Sequence, residues 1–362
     1  MGLLPKVAAL AAMMLCSGAA QAQDPPSRPI ELAAKVPFTH QHSKVQLPAV
    51  LAGLPRIQAM ENEPDQLHTS FLYASPDRGE QYIVIIYRDV GGGLPVWFDR
   101  ARRRAERGEI GTAALHWAGE FVPPGRTNAS GLLATYALTG GSYRSSGVAL
   151  VPAGEWLITI WAASRTRSPA ELDALIPKAL AEIVWPKMDP APAAVPVAAC
   201  TSSLAFSGEA KPVPRDEDSF AQSFMGAVLD AKLMEPLRRV TDPPRWCRDS
   251  IGLDNAGVYR ADEQKDGYFL AVNDSGRGVR VRRNAVTTSG QRAANSKAHD
   301  ERYEVQMTQM SRISTSALLD RLPPPAQALA IVMEDRFATT FRTWGEGKWQ
   351  VVAHEAPPKV RR

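Results

Sequence analysis

The chain has 362 residues, with 42 Lys and Arg against 38 Asp and Glu, a formal charge of +4 and 44% hydrophobic residues. A balance this mild excludes a protein driven onto nucleic acid by bulk charge, and the local basic clusters lack the interleaved stacking aromatics of such a binder. The length exceeds what one hydrophobic core usually organises, so two domains are expected, and no internal repeat of fixed period suggests a solenoid or propeller.

The opening 22 residues read as a secretory signal peptide: Lys6 supplies the positive region, Val7 to Leu15 the apolar run, and Ala20-Gln21-Ala22 the small-residue cleavage signal. Ser17 and Gly18 interrupt the run well short of the roughly 20 apolar residues a membrane anchor needs. Leu15 before Cys16 argues against lipidation. Cleavage after Ala22 makes the protein periplasmic or secreted and removes Lys6, leaving a formal +3. No transmembrane segment is expected further on.

The first domain is expected over residues 23–187. His40 and His42, in Thr-His-Gln-His-Ser-Lys, fall in a polar lead-in and read as solvated; a His-x-His metal site would need further ligands that the neighbourhood does not offer. Residues 68–90 place two apolar, β-branched runs around Ser75-Pro76-Asp77-Arg78-Gly79, the composition of a hairpin. After a Gly91-Gly92-Gly93 hinge, Val96, Trp97, Ala101 and Ala105 recur as one stripe of a helix, and the arginines at 100–107 read as its solvated face. Asn128-Ala129-Ser130 matches a glycosylation sequon. Residues 131–140, 142–152 and 154–163 follow as three strands of an antiparallel meander, the last apolar enough to be covered on both faces. Ser168, Pro169 and Glu171 then form the start of a capped helix with an apolar face of Leu172, Leu175, Ile176, Leu180 and Ile183. Pro177 inside it removes one ladder bond and predicts a kink.

This order of hairpin, helix, meander and capped helix resembles the PsbP-like α/β/α sandwich, a group that includes envelope proteins similar to DcrB. The residues that carry the resemblance are Gly154, Trp156, Leu157, Ile158, Ile160, the helix from Pro169, and Trp185-Pro186. It covers residues 30–187 and implies a binding or accessory module; fold alone licenses no chemistry.

Four prolines and many alanines over 185–200 read as an extended linker, set at 188–199 between the domains. The second domain, 200–362, is expected to be α+β as well, so that the fold class is two antiparallel sheets with flanking helices. Once the leader is removed, Cys200 and Cys247 are the two cysteines left, and an even count in an exported chain predicts a disulfide. It would close a loop of about 47 residues and stabilise by about 3–4 kcal/mol in the chain-entropy model. Helical spacing of Phe220, Phe224, Leu229, Leu233 and Leu237 predicts a helix in 216–240. Three strands are expected in 257–283, with Asn273 to Gly278 as a hairpin turn and the arginines of 277–283 guarding a sheet edge. Residues 283–302 read as low-order, 314–322 as a short helix stopped by Pro323-Pro324-Pro325, and 327–344 with 348–354 as a hairpin across Gly345-Glu346-Gly347.

Chemistry is sparse. The sequence has no His-Glu-x-x-His and no Gly-x-Ser-x-Gly; the serines of 140–147 read as turn residues, and Asn273 to Gly278 precedes a strand rather than the helix a phosphate loop requires. No catalytic, cofactor or metal residues are assigned, and Cys200 and Cys247 are structural. The expected function is an exported, non-catalytic envelope protein that binds another protein or a surface component. The alternative is an exported hydrolase using paired carboxylates at the domain interface, since spacing along a chain does not report carboxylates that meet in space.

Overall fold

Alternating and continuous apolar runs dominate the chain, and they form two large sheets. The computed structural model describes residues 27–108, 110–187, 190–213, 243–273, 276–284, 301–346 and 350–354. The signal peptide, the helix expected in 216–240, the basic tail 359–362 and most of the low-order segment (285–300) lie outside the described residues. The chain divides into two units: one comprises residues up to Tyr87 together with Ala101–Ala194, the other Arg88–Arg100 together with Val195 onward.

The first unit is a sheet in the order β1 (Arg28–Pro29), β5 (Leu54–Glu63), β6 (His68–Ala74), β7 (Glu80–Arg88), β11 (Trp156–Ser164), β10 (Ser145–Ala153), β9 (Gly131–Thr139), β8 (Thr112–Phe121). A short strand β4 (Val50–Leu51) also pairs with β5, and a small separate hairpin joins β2 (Phe38–Thr39) to β3 (Gln46–Leu47). The expected hairpin at 68–90 is β6–β7; the Asp77 carboxylate accepts from the Ser75 hydroxyl at 2.6 Å and the Gly79 amide at 3.0 Å, closing the turn. The meander β9–β10–β11 is antiparallel throughout. Helix α2 (Pro169–Ala181) starts with the full capping box, Ser168 Oγ accepting from the Glu171 amide and the Glu171 carboxylate accepting from the Ser168 amide. It buries Leu172, Ile176, Ala179 and Leu180, and Ile176 Cδ1 lies 2.6 Å from where a Cβ on Gly147 would sit, so a side chain there would have to displace the Ile176 methyl.

The second unit is a sheet of nine strands in sequence order: β12 (Ala198–Ala199), β13 (Trp246–Arg248), β14 (Ala256–Ala261), β15 (Gly267–Val272), β16 (Arg277–Arg283), β17 (Tyr303–Thr308), β18 (Arg312–Ser316), β19 (Phe337–Arg342) and β20 (Val351–Ala353). All pairs are antiparallel except β12 with β13. One face is an apolar core of Val258, Tyr268, Leu270, Val279, Val281 and Val305 under helix α3 (Pro325–Met333). Cys200 and Cys247 are disulfide-bonded with Cα atoms 4.9 Å apart, joining the first two strands. Behind them the buried Arg260 and Asp249 pair at 3.2 Å, and Asp249 also accepts from the amides of Leu204 and Ile251.

Several expectations are corrected. Residues 23–187 do not form one unbroken unit. Helix α1 (Gly93–Glu106) is the expected helix, but Arg88–Arg100 belongs to the second unit. There Arg88 donates to Met310 O at 2.6 Å, Asp99 accepts from Tyr259 Oη at 2.8 Å, and Trp97 packs edge-on to Phe269. Gly91, Gly92 and Gly93 all have positive φ, and a Cβ on Gly92 would fall 2.9 Å from the Phe269 ring, so the glycines serve close approach rather than a free hinge. Arg100 is buried, not on a solvated face, and donates to the carbonyls of Asn273 and Asn255. The arginines of 277–283 guard no edge, because β16 lies between β15 and β17; Arg282 instead binds the buried Glu304 at 2.7 Å. Residues 314–322 contain the end of β18, not a helix, and the prolines start rather than stop one: Pro325 opens α3, where its missing N–H costs nothing, and 327–333 is helical instead of extended. Within the expected extended linker, Ala191 O accepts from Asn128, Ala194 donates to Ala129 O, and residues 198–199 are strand.

Candidate binding edge and the buried histidine

Sheet ends expose unpaired backbone groups, and natural sheets blunt them with short strands, charges or proline. Among the described residues, three of the four ends of the two large sheets are closed by strands of two or three residues: β1, β12 and β20. The fourth is β8, ten residues long, which pairs on one side with β9. Between Thr112 and Phe121 there is no Lys, Arg or Pro. Its side chains are largely accessible: Leu115 is 48% and Trp117 40% exposed, and Val122 just beyond is 53% exposed.

A bulge between Leu115 and Trp117 shapes this edge. Leu115 pairs with Tyr136 and Trp117 with Thr135, so the two side chains lie on opposite faces although their spacing alone would put them together. On the α2 side, His116 Nε2 lies 3.4 Å from Asp173, whose other oxygen accepts from the buried Thr135 hydroxyl at 2.5 Å. The carboxylate stands between hydroxyl and imidazole, so the imidazole has no hold on the hydroxyl and the group anchors the bulge rather than activating a nucleophile. Beyond it, the Trp117 ring lies over Gly119 and the Phe121 ring over Gly131, each glycine leaving the room a Cβ would fill.

The histidine expected to be solvated is enclosed in the first unit. His40 is fully buried between β2 and β3. Its Nε2–H donates to Gln66 O at 2.8 Å, and Nδ1 accepts from the amide and hydroxyl of Ser43 at 3.0 and 2.8 Å. The carbonyl partner fixes the neutral Nε2–H tautomer. Burial lowers its pKa to about 4, against the opposing pull of the Gln66 carbonyl. The ring packs edge-on to Trp156 at 4.6 Å, and His42 stacks on the same indole at 5.9 Å. Both nitrogens of His40 are committed to protein, so the His-x-His metal reading fails there; no group of three metal-ligating side chains occurs among the described residues.

Five carboxylates are arranged as structural pins. Hydrogen bonds from the Ser75 hydroxyl and Gly79 amide hold Asp77 below the usual carboxylate range, those from Ser168 do the same for Glu171, and the Arg321 guanidinium for Asp320. In the second unit the buried Asp249 and Glu304 each face an arginine. A general acid needs the reverse, a carboxyl held protonated.

Sequence reasoning missed β8 and β5 because neither alternates cleanly: β5 carries two register shifts and β8 one. The available signal was composition, ten residues without Lys, Arg or Pro between two glycine-containing turns.

No described family and no curated protein matches the chain. Among solved structures it is similar to the solution structure of cyanobacterial PsbP (CyanoP) from Synechocystis sp. PCC 6803, at 11% identity over 43% of this chain and 95% of that one, with a TM-score of 0.25. It is also similar to a crystal structure from Bacteroides thetaiotaomicron VPI-5482, at 10% identity over 61% of this chain and 84% of that one, with a TM-score of 0.18. Superpositions this loose carry no argument about function.

Proposed function

We propose that the protein is an exported accessory module, periplasmic or secreted, with a PsbP-like first unit, and that it binds another protein by adding a strand to the edge of β8. The observation that carries this reading is the contrast between β8 and the other sheet ends: among the described residues three are blunted, whereas the long one pairs on one side alone, has no lysine or arginine, and exposes Leu115 and Trp117. An extended segment placed there would satisfy the outer backbone groups of β8, with Leu115 and Trp117 supplying contact area on the two faces. The Cys200–Cys247 disulfide supports export, because such bonds persist in oxidising compartments. No described helix is long and apolar enough to cross a membrane.

The test is affinity capture from an envelope extract in non-reducing buffer, with the wild-type protein and Trp117→Lys in parallel. A protein retained by the wild type and lost with the variant is the expected result. Equal retention by both, or none by either from a wild-type protein that sedimentation shows to be monomeric, would overturn the reading.

A further inference from the structure

The five residues that follow the bulge, Trp117-Ala118-Gly119-Glu120-Phe121, are complementary to themselves. Trp117 pairs with Thr135, Gly119 with Leu133 and Phe121 with Gly131, so the three lie on one face of the sheet, the face toward α2. Resting on the β8 reading above, we propose that the strand received by this edge is β8 of a second copy of the chain, antiparallel about a two-fold axis at Gly119.

That register sets Trp117 across from Phe121 of the partner subunit and Phe121 across from Trp117 of the partner subunit. Aromatic cross-strand pairs of this kind are among the more favourable in antiparallel sheets. Gly119 meets its own copy at the axis, where the absence of a side chain leaves the space that the Trp117 ring already overhangs. Glu120, the strand's one carboxylate, falls across from Ala118 of the partner subunit, so no like charges lie directly opposite each other. The bulge at Leu115–Trp117 sits at one end of this short ladder and confines pairing to the five residues beyond it. The result is an isologous interface, the same patch on both copies, as two-fold dimers require.

Sedimentation equilibrium of the full chain, with its disulfide intact, tests the register through charge. The wild type is expected to form a concentration-dependent dimer. A118E places a carboxylate across from Glu120 on both sides of the axis and is expected to weaken the dimer about tenfold or more. A118K, similar in size, should leave it intact or tighten it, and adding E120K to A118E should restore association. Melting temperatures of all four proteins separate this from folding defects, and the rescue by E120K remains decisive if A118E alone is less stable. A wild type that stays monomeric into the millimolar range, or A118E and A118K shifting association equally, would overturn the second copy as occupant. The strand-addition reading itself then rests on the Trp117→Lys capture experiment, which does not depend on self-association.

Discussion

Replacing His40 with glutamine should flatten the acid sensitivity of the first unit. In the folded protein the imidazole is neutral, with a pKa lowered from 6.5 to about 4 by burial. In the unfolded chain it takes up a proton near its ordinary value. A group depressed on folding contributes stability that is present above the unfolded pKa and lost as pH falls toward the folded one. The window is therefore pH 6.5 down to about 4. At about 1.4 kcal/mol per pH unit the whole window amounts to about 3 kcal/mol, of which about 2 kcal/mol has gone by pH 5. His40→Gln keeps a donor for Gln66 O and an acceptor for Ser43 but does not titrate. It should be less stable than the wild type at pH 7.5 by about 1–2 kcal/mol, through imperfect hydrogen bonding and packing against Trp156. Between pH 7.5 and 5 that deficit should shrink by about 2 kcal/mol, because only the wild type pays to keep an imidazole neutral. Urea unfolding at several pH values, followed by far-ultraviolet dichroism and tryptophan fluorescence, measures the difference, and the other histidines cancel in it. A deficit that stays constant across the range would refute the reasoning.

Three further outcomes are expected. Cys200→Ser with Cys247→Ser should lower the stability of the second unit by about 3–4 kcal/mol, read as a lower urea midpoint than that of the oxidised protein, with reduced wild type matching the variant. Asp249→Ala leaves the buried Arg260 guanidinium without its carboxylate and should cost about 3–5 kcal/mol, whereas replacing Arg260 and Asp249 together with apolar residues should cost much less; calorimetry of the three proteins decides it. Ser168→Ala removes the acceptor for the Glu171 amide and should cost about 1 kcal/mol, seen as a small drop in melting temperature.

Much of the first sheet was legible because its signals are local. The Ser168 capping box, the Ser75–Gly79 turn and the nearly continuous apolar run of β11 each depend on residues within a few positions of one another. His40 was misread because the groups that enclose it are distant in sequence: Gln66 and Trp156 cover it, with Ser43 its one near partner, and a polar stretch reads as solvated unless the chain that buries it is known. Arg100 and the arginines of β16 were misread for the same reason, since long cationic side chains look like surface wherever their carbonyl or carboxylate partners are remote. The exchanged helix and strand around Pro323 to Pro325 is a different failure: proline punctuates without saying on which side the helix lies. The open edge at β8 was invisible because edge position is a property of topology, and its bulge erased the alternation that would have announced a strand.

The assignment of Arg88–Arg100 to the second unit bears on the order in which the chain becomes structured. As the protein is synthesised, this segment emerges well before most of the sheet to which it belongs. Its contacts span 160 residues from Asp99 to Tyr259 and 222 from Arg88 to Met310. Closing loops of that length adds little to the final free energy but delays folding, because the entropy is lost before the contact rewards it. A fragment beginning at Val195 would also leave Tyr259 and Phe269 without Asp99 and Trp97. The second unit is therefore completed by a piece translated with the first, and a fragment that carries Arg88–Arg100 along should be more stable than one beginning at Val195.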